Sequence, residues 1–477
     1  MILRQKHIKA LSPAWMPFAD AASEGLPVRQ LLRLSLFQVS VGMATVLLLG
    51  TLNRVMIVEL SVPAMVVALM IAIPVLVAPF RALLGHRSDT HRSAIGWKRI
   101  PYLWFGSLWQ MGGLAVMPFA LIVLSGDQVH GPAWAGEVLA ALAFLMTGLG
   151  LHMTQTAGLA LASDRADDQT RPKVVALLYV MFLLGMAISA VIVGWLLRDF
   201  DPITLVRVVQ GCAIATLLLN MIALWRQEKV TPMTRAEREA PRPRFRDAWA
   251  DLMAGGRAGR LLAVVVIGTL GFNMQDILLE PYGGEVLGLS VSSTTLLTAL
   301  YAVGALAGFL IAARWLARGH DPYRTAARGI LVGLVAFPCI IFAGPLASVP
   351  LFYAGAGLVG FGAGLFAVST LTAAMALKTG GTGAGLALGA WGAAQATAAG
   401  VSIFLAGTLR DIVGHLASSG ALGQALTDPN LGYSFVYHLE IGLLFLTLIA
   451  LGPLVRVTPL SATKDPGDRF GIAEFPT

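Results

Sequence analysis

The sequence predicts an all-α polytopic membrane protein, with twelve transmembrane helices in two pseudo-symmetric six-helix halves. Two observations support this fold class. Of the 477 residues, 56% are hydrophobic and 13% are charged, whereas about 25% of the residues of a soluble protein are charged. Apolar runs of about 20 residues also recur along the whole chain, and that length spans a hydrocarbon core as one helix. The composition therefore excludes a soluble globular fold.

The predicted helices follow the apolar runs in order. We place the first six at about 31–53, 64–80, 102–124, 137–162, 174–197 and 204–225. The other six lie at about 261–280, 292–313, 326–343, 351–377, 384–409 and 434–455. Residues 226–260 between them are charged and contain prolines, so they are too polar to enter the membrane. The chain is therefore expected to divide into 1–225 (N-terminal segment and first half), 226–260 (cytoplasmic linker) and 261–477 (second half and tail).

The basic residues predict the orientation of these helices. All but four of the 34 Lys and Arg residues lie in tails and loops that would share one side of the membrane, the exceptions being Arg54, Arg198, Arg207 and Arg410. Because Lys and Arg accumulate in cytoplasmic loops, we expect both termini to be cytoplasmic. The net charge of +8 then reflects topology, and we expect no nucleic-acid partner. The first helix is expected to act as an uncleaved signal anchor, since no cleavable signal peptide is evident.

The sequence offers no motif for catalysis. It contains no P-loop, no zinc-ligand spacing and no Ser/His/Asp arrangement, and its two cysteines, Cys212 and Cys339, lie in apolar runs where they are expected to pack as small side chains. We therefore predict that the protein is not an enzyme and holds no directly ligated metal.

The seventh predicted helix carries polar side chains at membrane depth. Asn273, Gln275, Asp276 and Glu280 follow one another closely, and Pro281 is expected to break the helix. Asn273, Asp276 and Glu280 are spaced i, i+3, i+7 and therefore share one helix face. Ionisable side chains are costly in a membrane and rarely lie there without a partner or a function.

A second polar group lies at the end of the first helix. Asn53, Arg54 and Glu59 occur in "TLNRVMIVELSV", which parallels "NMQDILLEPYGG" of the seventh helix. If the halves are related by pseudo-symmetry, Arg54 is expected to pair with Asp276 or Glu280. Two interpretations remain open. The first is a structural clamp between the halves, formed by Asn53, Arg54, Glu59, Asp276 and Glu280. The second is a substrate site in which Asp276 and Glu280 also couple protons.

Three further residues are candidates for ligand binding. His152 and Gln155 lie in the middle of the fourth helix, and His438 begins the twelfth together with Glu440, where we expect the membrane interface. Neutral imidazole is a good axial ligand for the magnesium of a chlorin ring, and equally an ordinary hydrogen-bond partner between helices. Both interpretations of His152 remain open.

The loop between helices two and three contains a spaced motif. Gly85 and Asp89 have the spacing G-x-x-x-D, and Gly96, Lys98 and Arg99 supply a glycine and a basic end. With the two six-helix repeats and the linker, this loop resembles the major facilitator superfamily of transporters. The alternative is a tight basic turn that follows the positive-inside rule.

Several segments carry a closer resemblance. "LNRVMIVELSVPA", "TAGLALASD", "MQDILLEPYGGEV", "GLALGAWGAAQATAAG" and "EIGLLFLTLIALGPLV" resemble the signature segments of the PucC/LhaA family, the bacteriochlorophyll-delivery branch of that superfamily. The resemblance extends from about residue 28 to 457, and it is greatest to the members associated with the core light-harvesting antenna (LH1). It implies no catalytic role for the matching signature residues, which are Asn53, Arg54, Glu59, Asp164, Gln275, Asp276, Glu280 and Tyr282.

The resemblance implies a function in the photosynthetic inner membrane of a bacterium. The protein would bind bacteriochlorophyll a and deliver it to the α and β polypeptides of LH1 as they are inserted, with carotenoid or lipid as further ligands. The reaction centre, bacteriochlorophyll synthase and the membrane insertion machinery are further implied partners. The alternative is a secondary transporter of a small solute or tetrapyrrole, proton-coupled through Asp276 or Glu280.

Overall fold

The computed structural model describes residues 26–76, 99–125, 134–166, 171–227, 256–377, 384–428 and 430–456, together with residues 97, 132 and 253. Most of the predicted linker, and the loop-motif residues Gly85, Asp89, Gly96 and Lys98, lie outside these ranges. The structure therefore leaves the boundaries of the linker as a prediction.

The described residues form helices and no strands. In chain order the helices are α1 (Val28–Glu59), α2 (Ala64–Leu76), α3 (Ile100–Leu124), α4 (Ala135–Arg165), α5 (Arg171–Leu196), α6 (Pro202–Leu224), α7 (Arg257–Glu285), α8 (Val291–Ala317), α9 (Pro322–Ala343), α10 (Val349–Met375), α11 (Ala384–Ser418) and α12 (Leu431–Arg456). Among them, eleven are long and apolar enough to cross a membrane, and α2 is a shorter apolar helix. The all-helical membrane fold is confirmed.

Helix α1 is longer than predicted, and part of it is wound more loosely than an α-helix. Val46–Thr51 and Val55–Glu59 are π-helical, so their hydrogen bonds run over five residues instead of four. The amide of Leu60, for example, donates to the carbonyl of Val55 at 3.0 Å. The two π-helical segments flank Asn53 and Arg54, and they change the directions in which these side chains point.

Helix α7 does not end at Pro281, and that prediction is wrong. It is interrupted earlier, at Met274, between Arg257–Asn273 and Gln275–Glu285. The second segment continues through Pro281 because a neighbouring side chain supplies the hydrogen bond that proline cannot donate, as described below.

The first six helices contact the last six along several pairs. Helix α2 packs against α11, α5 against α8, and the second half of α1 against α7 and α8. At the α2–α11 contact, a Cβ added to Gly407 would lie 2.6 Å from the carbonyl oxygen of Ala64, so the two backbones approach as closely as glycine allows. The second segment of α7 therefore lies at the contact between the first six helices and the last six.

Candidate functional site

The interruption of α7 is stabilised by a carboxyl group from α12. The amide of Gln275 donates to Glu440 Oε1 at 2.7 Å, and the amide of Met274 is also hydrogen-bonded to Glu440. A helix interruption leaves backbone N–H groups without intrahelical acceptors, and in a membrane no water replaces them. Glu440 is fully buried inside the protein.

The second irregularity of α7 is at Pro281, where a side chain of α1 supplies the missing hydrogen bond. Pro281 has no N–H, so the carbonyl of Ile277 four residues earlier lacks its helical donor. Asn53 Nδ2 donates to this carbonyl oxygen at 2.7 Å and to that of Leu49 at 3.0 Å. Asn53 therefore connects the first six helices with the last six through backbone that proline leaves unpaired.

Arg54 binds a different acid from those predicted. Its guanidinium forms an ion pair with Glu59 and donates to the carbonyl of Leu289 at 2.9 Å. No ion pair joins Arg54 to Asp276 or Glu280 in the described part of the chain, so the predicted direct pairing is wrong. The physical reason is the π-helical turn, which brings position i+5 onto the face of position i. Arg54 still contributes to the clamp, because Leu289 precedes α8 in the second half.

Glu280 lies directly against the backbone of α1. Its Oε1 accepts a hydrogen bond from Thr298 of α8, and a Cβ added to Gly50 would lie 2.3 Å from this oxygen. Its second oxygen, Oε2, is buried and has no hydrogen-bond partner among the described residues. The absence of a side chain at Gly50 therefore provides the space that Glu280 occupies.

Asp276 lies at the junction of two cavities. It accepts hydrogen bonds from Asn273 Nδ2 at 3.1 Å and from Gln275 Nε2. The larger cavity has a volume of about 350 Å³ and is bordered by α1, α5, α7, α8, α10 and α11. Asn273, Gln275, Asp276 and Glu280 form its polar side. The structure thus brings all four candidate residues of α7 to one cavity.

The smaller cavity places the α4 candidates near the same acid. It has a volume of about 200 Å³, and His152, Gln155, Asn273 and Asp276 are among its lining residues. Asn273 and Asp276 line both cavities. His438, by contrast, lines neither cavity: it is exposed on α12, with Nδ1 2.7 Å from the carbonyl oxygen of Ser434.

A second contact between the halves lies at the end of α7 and was not expected from the sequence. Arg410 of α11 forms ion pairs with Glu285 and, at 2.8 Å, with Asp411. The other oxygen of Asp411 accepts from the amide of Met65 at 2.6 Å, at the start of α2. Tyr433 of α12 donates to Glu285 at 2.9 Å. Arg410 was the signal in the sequence that could have indicated this contact, because it is one of the four basic residues that do not follow the charge bias of the loops.

At the opposite end of the helices, one residue of the loop motif is described. Arg99 donates through Nε to Asp164 of α4 at 2.9 Å. Asp164 is one of the family signature residues, so this ion pair connects the loop motif with a second matching segment. Arg99 is buried, whereas Asp164 is half exposed.

The described residues contain no group of three or more His, Cys, Asp or Glu side chains that could hold a metal ion. Cys212 and Cys339 are both free thiols. The arrangement at α7 is a cavity with mostly apolar walls and a polar side built on an interrupted helix, which is the way transporters form binding sites at membrane depth.

The overall fold is that of transporters of the major facilitator type. A bacterial homologue of the human lysosomal transporter Spinster superposes with a TM-score of 0.69 at 12% identity, covering 91% of this chain and 98% of that chain. A POT family peptide transporter superposes with a TM-score of 0.62 at 14% identity, covering 93% and 100%. At these identities the likeness concerns the fold alone.

The chain belongs to the PucC family. The family described as "PUCC protein" matches residues 51–458. The chain is 66% identical to the "Uncharacterized protein in puhA-bchM intergenic region" of Rhodobacter capsulatus, covering 100% of both chains. It is 51% identical to Protein PucC of Cereibacter sphaeroides, covering 94% of this chain and 97% of that one. It is 28% identical to the "Bacteriochlorophyll synthase 44.5 kDa chain" of Rhodobacter capsulatus, covering 78% and 85%.

Proposed function

We propose that this protein is an assembly factor for the LH1 antenna that binds bacteriochlorophyll a and delivers it to the antenna polypeptides during their insertion. The observation that carries the proposal is the pair of adjoining cavities in a member of the PucC family. A relative named for bacteriochlorophyll synthase connects the family with this pigment.

The chemistry of the cavities supports a largely apolar ligand. Phe182, Met186, Phe309, Phe366 and Trp391 line the larger cavity, with polar groups confined to a few positions. Apolar walls with a few placed polar groups are typical of sites for small organic molecules, and the volume of the larger cavity is in the range of such sites. His152 faces the smaller cavity, and its imidazole is the proposed axial ligand for the magnesium of the pigment.

The proposal includes an orientation. The twelve helices form two six-helix halves with both termini cytoplasmic, in the inner, photosynthetic membrane of a bacterium. The charge bias of the loops supports this orientation. The Arg99–Asp164 pair then faces the cytoplasm, and the Arg410 cluster, with Glu285, Asp411 and Tyr433, faces the periplasm.

The proposed partners are the α and β polypeptides of LH1, with the reaction centre, bacteriochlorophyll synthase and the insertion machinery as further candidates. Carotenoid and membrane lipid are further candidate ligands. Exposed apolar side chains are numerous on the outer surface of the helices, which is the surface that meets lipid and other membrane helices.

The proposal is tested by purifying the full chain in a mild detergent from a host that makes bacteriochlorophyll. The absorption spectrum is recorded, and co-purifying polypeptides are identified by mass spectrometry. We expect pigment absorbance together with the α and β polypeptides. A colourless preparation in several mild detergents, from cells whose LH1 assembly is intact, would contradict pigment binding.

The second candidate is a proton-coupled transporter of a small solute or tetrapyrrole. Buried Glu280 and partly buried Asp276 at the cavity favour it, because intramembrane carboxyl groups serve as proton relays in transporters. Uptake into proteoliposomes that depends on a pH gradient and is lost in Asp276→Asn and Glu280→Gln would support it. Asp199→Asn, in an exposed loop, is the matched control for loss of one carboxylate.

A further inference from the structure

The charges that line the larger cavity are all of one sign. Asp276 and Glu280 both border it, and its described lining residues include no Lys, Arg or His. The guanidinium of Arg54 is bound by Glu59 and by the carbonyl of Leu289 and does not line the cavity; it acts on Glu280 electrostatically from outside the cavity. A ligand in this cavity therefore meets carboxyl groups and no fixed positive charge.

Glu280 also has an oxygen that is available to a ligand. The residue is 3% exposed and lines the cavity. Oε1 is engaged by Thr298, and Oε2 has no hydrogen-bond partner among the described residues. A buried carboxyl oxygen is costly to leave unpaired, so a polar group of the ligand is its natural partner.

We infer that this cavity selects tetrapyrroles whose carboxyl groups are esterified, and discriminates against the corresponding free acids. The inference rests on the proposed function and specifies the form of pigment that the site accepts. A free propionate would bring an anion beside two carboxyl groups, in a cavity whose described lining residues include no cation. An ester adds an alkyl group and carries no charge, so it avoids this repulsion.

The discrimination arises mainly from a penalty against the wrong ligand. Burying an unpaired anion costs much more free energy than leaving one hydrogen bond to a neutral group unmade. Selectivity by unpaired charge requires no extra contact with the accepted ligand, which suits a site that must later release it. A delivery protein with this cavity takes up pigment only after esterification.

The test compares two pigments that differ by one charge and little in size. Methyl bacteriochlorophyllide a and bacteriochlorophyllide a are titrated into the purified full chain in lipid nanodiscs, and binding is followed by absorption and tryptophan-fluorescence quenching. We expect the methyl ester to bind at least about tenfold more tightly. Equal affinities, or tighter binding of the free acid, would overturn the inference.

A variant supplies the missing charge. Gln395→Lys places a cation in the cavity wall, and we expect it to reduce the preference to less than about threefold. Asp199→Asn changes net charge by the same amount far from the cavity and should retain the full preference. A preference unchanged in Gln395→Lys would also contradict the inference.

The outcomes separate the inference from the proposed function. If the esterified and free pigments bind equally well, the protein still handles bacteriochlorophyll and only the selectivity is wrong. If neither the methyl ester nor bacteriochlorophyll a binds in nanodiscs or in several mild detergents, the proposed function itself is contradicted.

Discussion

Asn53 of α1 donates a hydrogen bond to the carbonyl oxygen of Ile277 in α7, across the boundary between the two sets of six helices, at 2.7 Å. That carbonyl is the one that Pro281 leaves without a helical donor. The proline and the asparagine are therefore complementary: one removes a donor from α7, and the other supplies it from α1.

This relationship predicts coupling between positions 53 and 281. Asn53→Ala should lower the free energy of unfolding by about 1–3 kcal/mol, because a buried carbonyl loses its donor. In a Pro281→Ala background the backbone N–H of residue 281 can bond Ile277 itself, so the same change should cost markedly less. The measurement is a double-mutant cycle by SDS titration in mixed micelles. If the losses in free energy of unfolding are additive, Asn53 does not donate a hydrogen bond that depends on Pro281.

Glu440 predicts a difference between two substitutions. Glu440→Gln keeps a carbonyl oxygen that can accept from the amides of Met274 and Gln275, whereas Glu440→Leu removes every acceptor. We expect the leucine variant to be less stable than the glutamine variant by about 1–3 kcal/mol in the same titration. Equal stability of the two would mean that the interruption of α7 does not depend on this acceptor.

The ion pair between Arg54 and Glu59 predicts that these two residues are energetically coupled. Arg54→Gln and Glu59→Gln should show a coupling free energy of about 0.5–3 kcal/mol, since either single change leaves the other charge unpaired. Arg54→Gln combined with Asp276→Asn should be close to additive, because Asp276 is bound by Asn273 and Gln275. Strong coupling to Asp276 and none to Glu59 would reverse this assignment.

Gly50 predicts a change in ligand binding. A Cβ at this position meets Glu280 Oε1 at 2.3 Å, and the end of a glutamate side chain can move, so Gly50→Ala should displace the carboxyl from Thr298. We expect pigment affinity to fall several-fold while the protein still folds. Gly442→Ala in α12 is the matched control, since nothing lies within 4 Å of its added Cβ. An unchanged affinity in Gly50→Ala would show that the position of Glu280 is irrelevant to binding.

His152 predicts a spectroscopic change. His152→Leu should lower the amount of bound pigment and shift its absorption, because it removes the proposed axial ligand of the chlorin magnesium. His438→Leu, on the exposed side of α12, should alter neither. If the spectrum and pigment content of His152→Leu match those of the unmodified protein, His152 has only a packing function.

The sequence by itself determined the class of fold and the family. The length and hydropathy of an apolar segment are local properties of the sequence. Because unpaired backbone is costly in lipid, apolar segments of this length are expected to form helices. The charge bias of the loops and the signature segments are equally local. The four polar residues of α7 and His152 could be selected for the same reason, because a polar side chain is conspicuous in an apolar helix.

Tertiary structure decided which of these residues meet. The π-helical turns of α1 redirected Arg54 to Glu59, which a count at 3.6 residues per turn does not predict. The interruption at Met274 and the continuity through Pro281 both depend on side chains from other helices, Glu440 and Asn53. A backbone hydrogen bond supplied from 165 or 224 residues away leaves no periodic signal in the sequence, so only the packed helices show it.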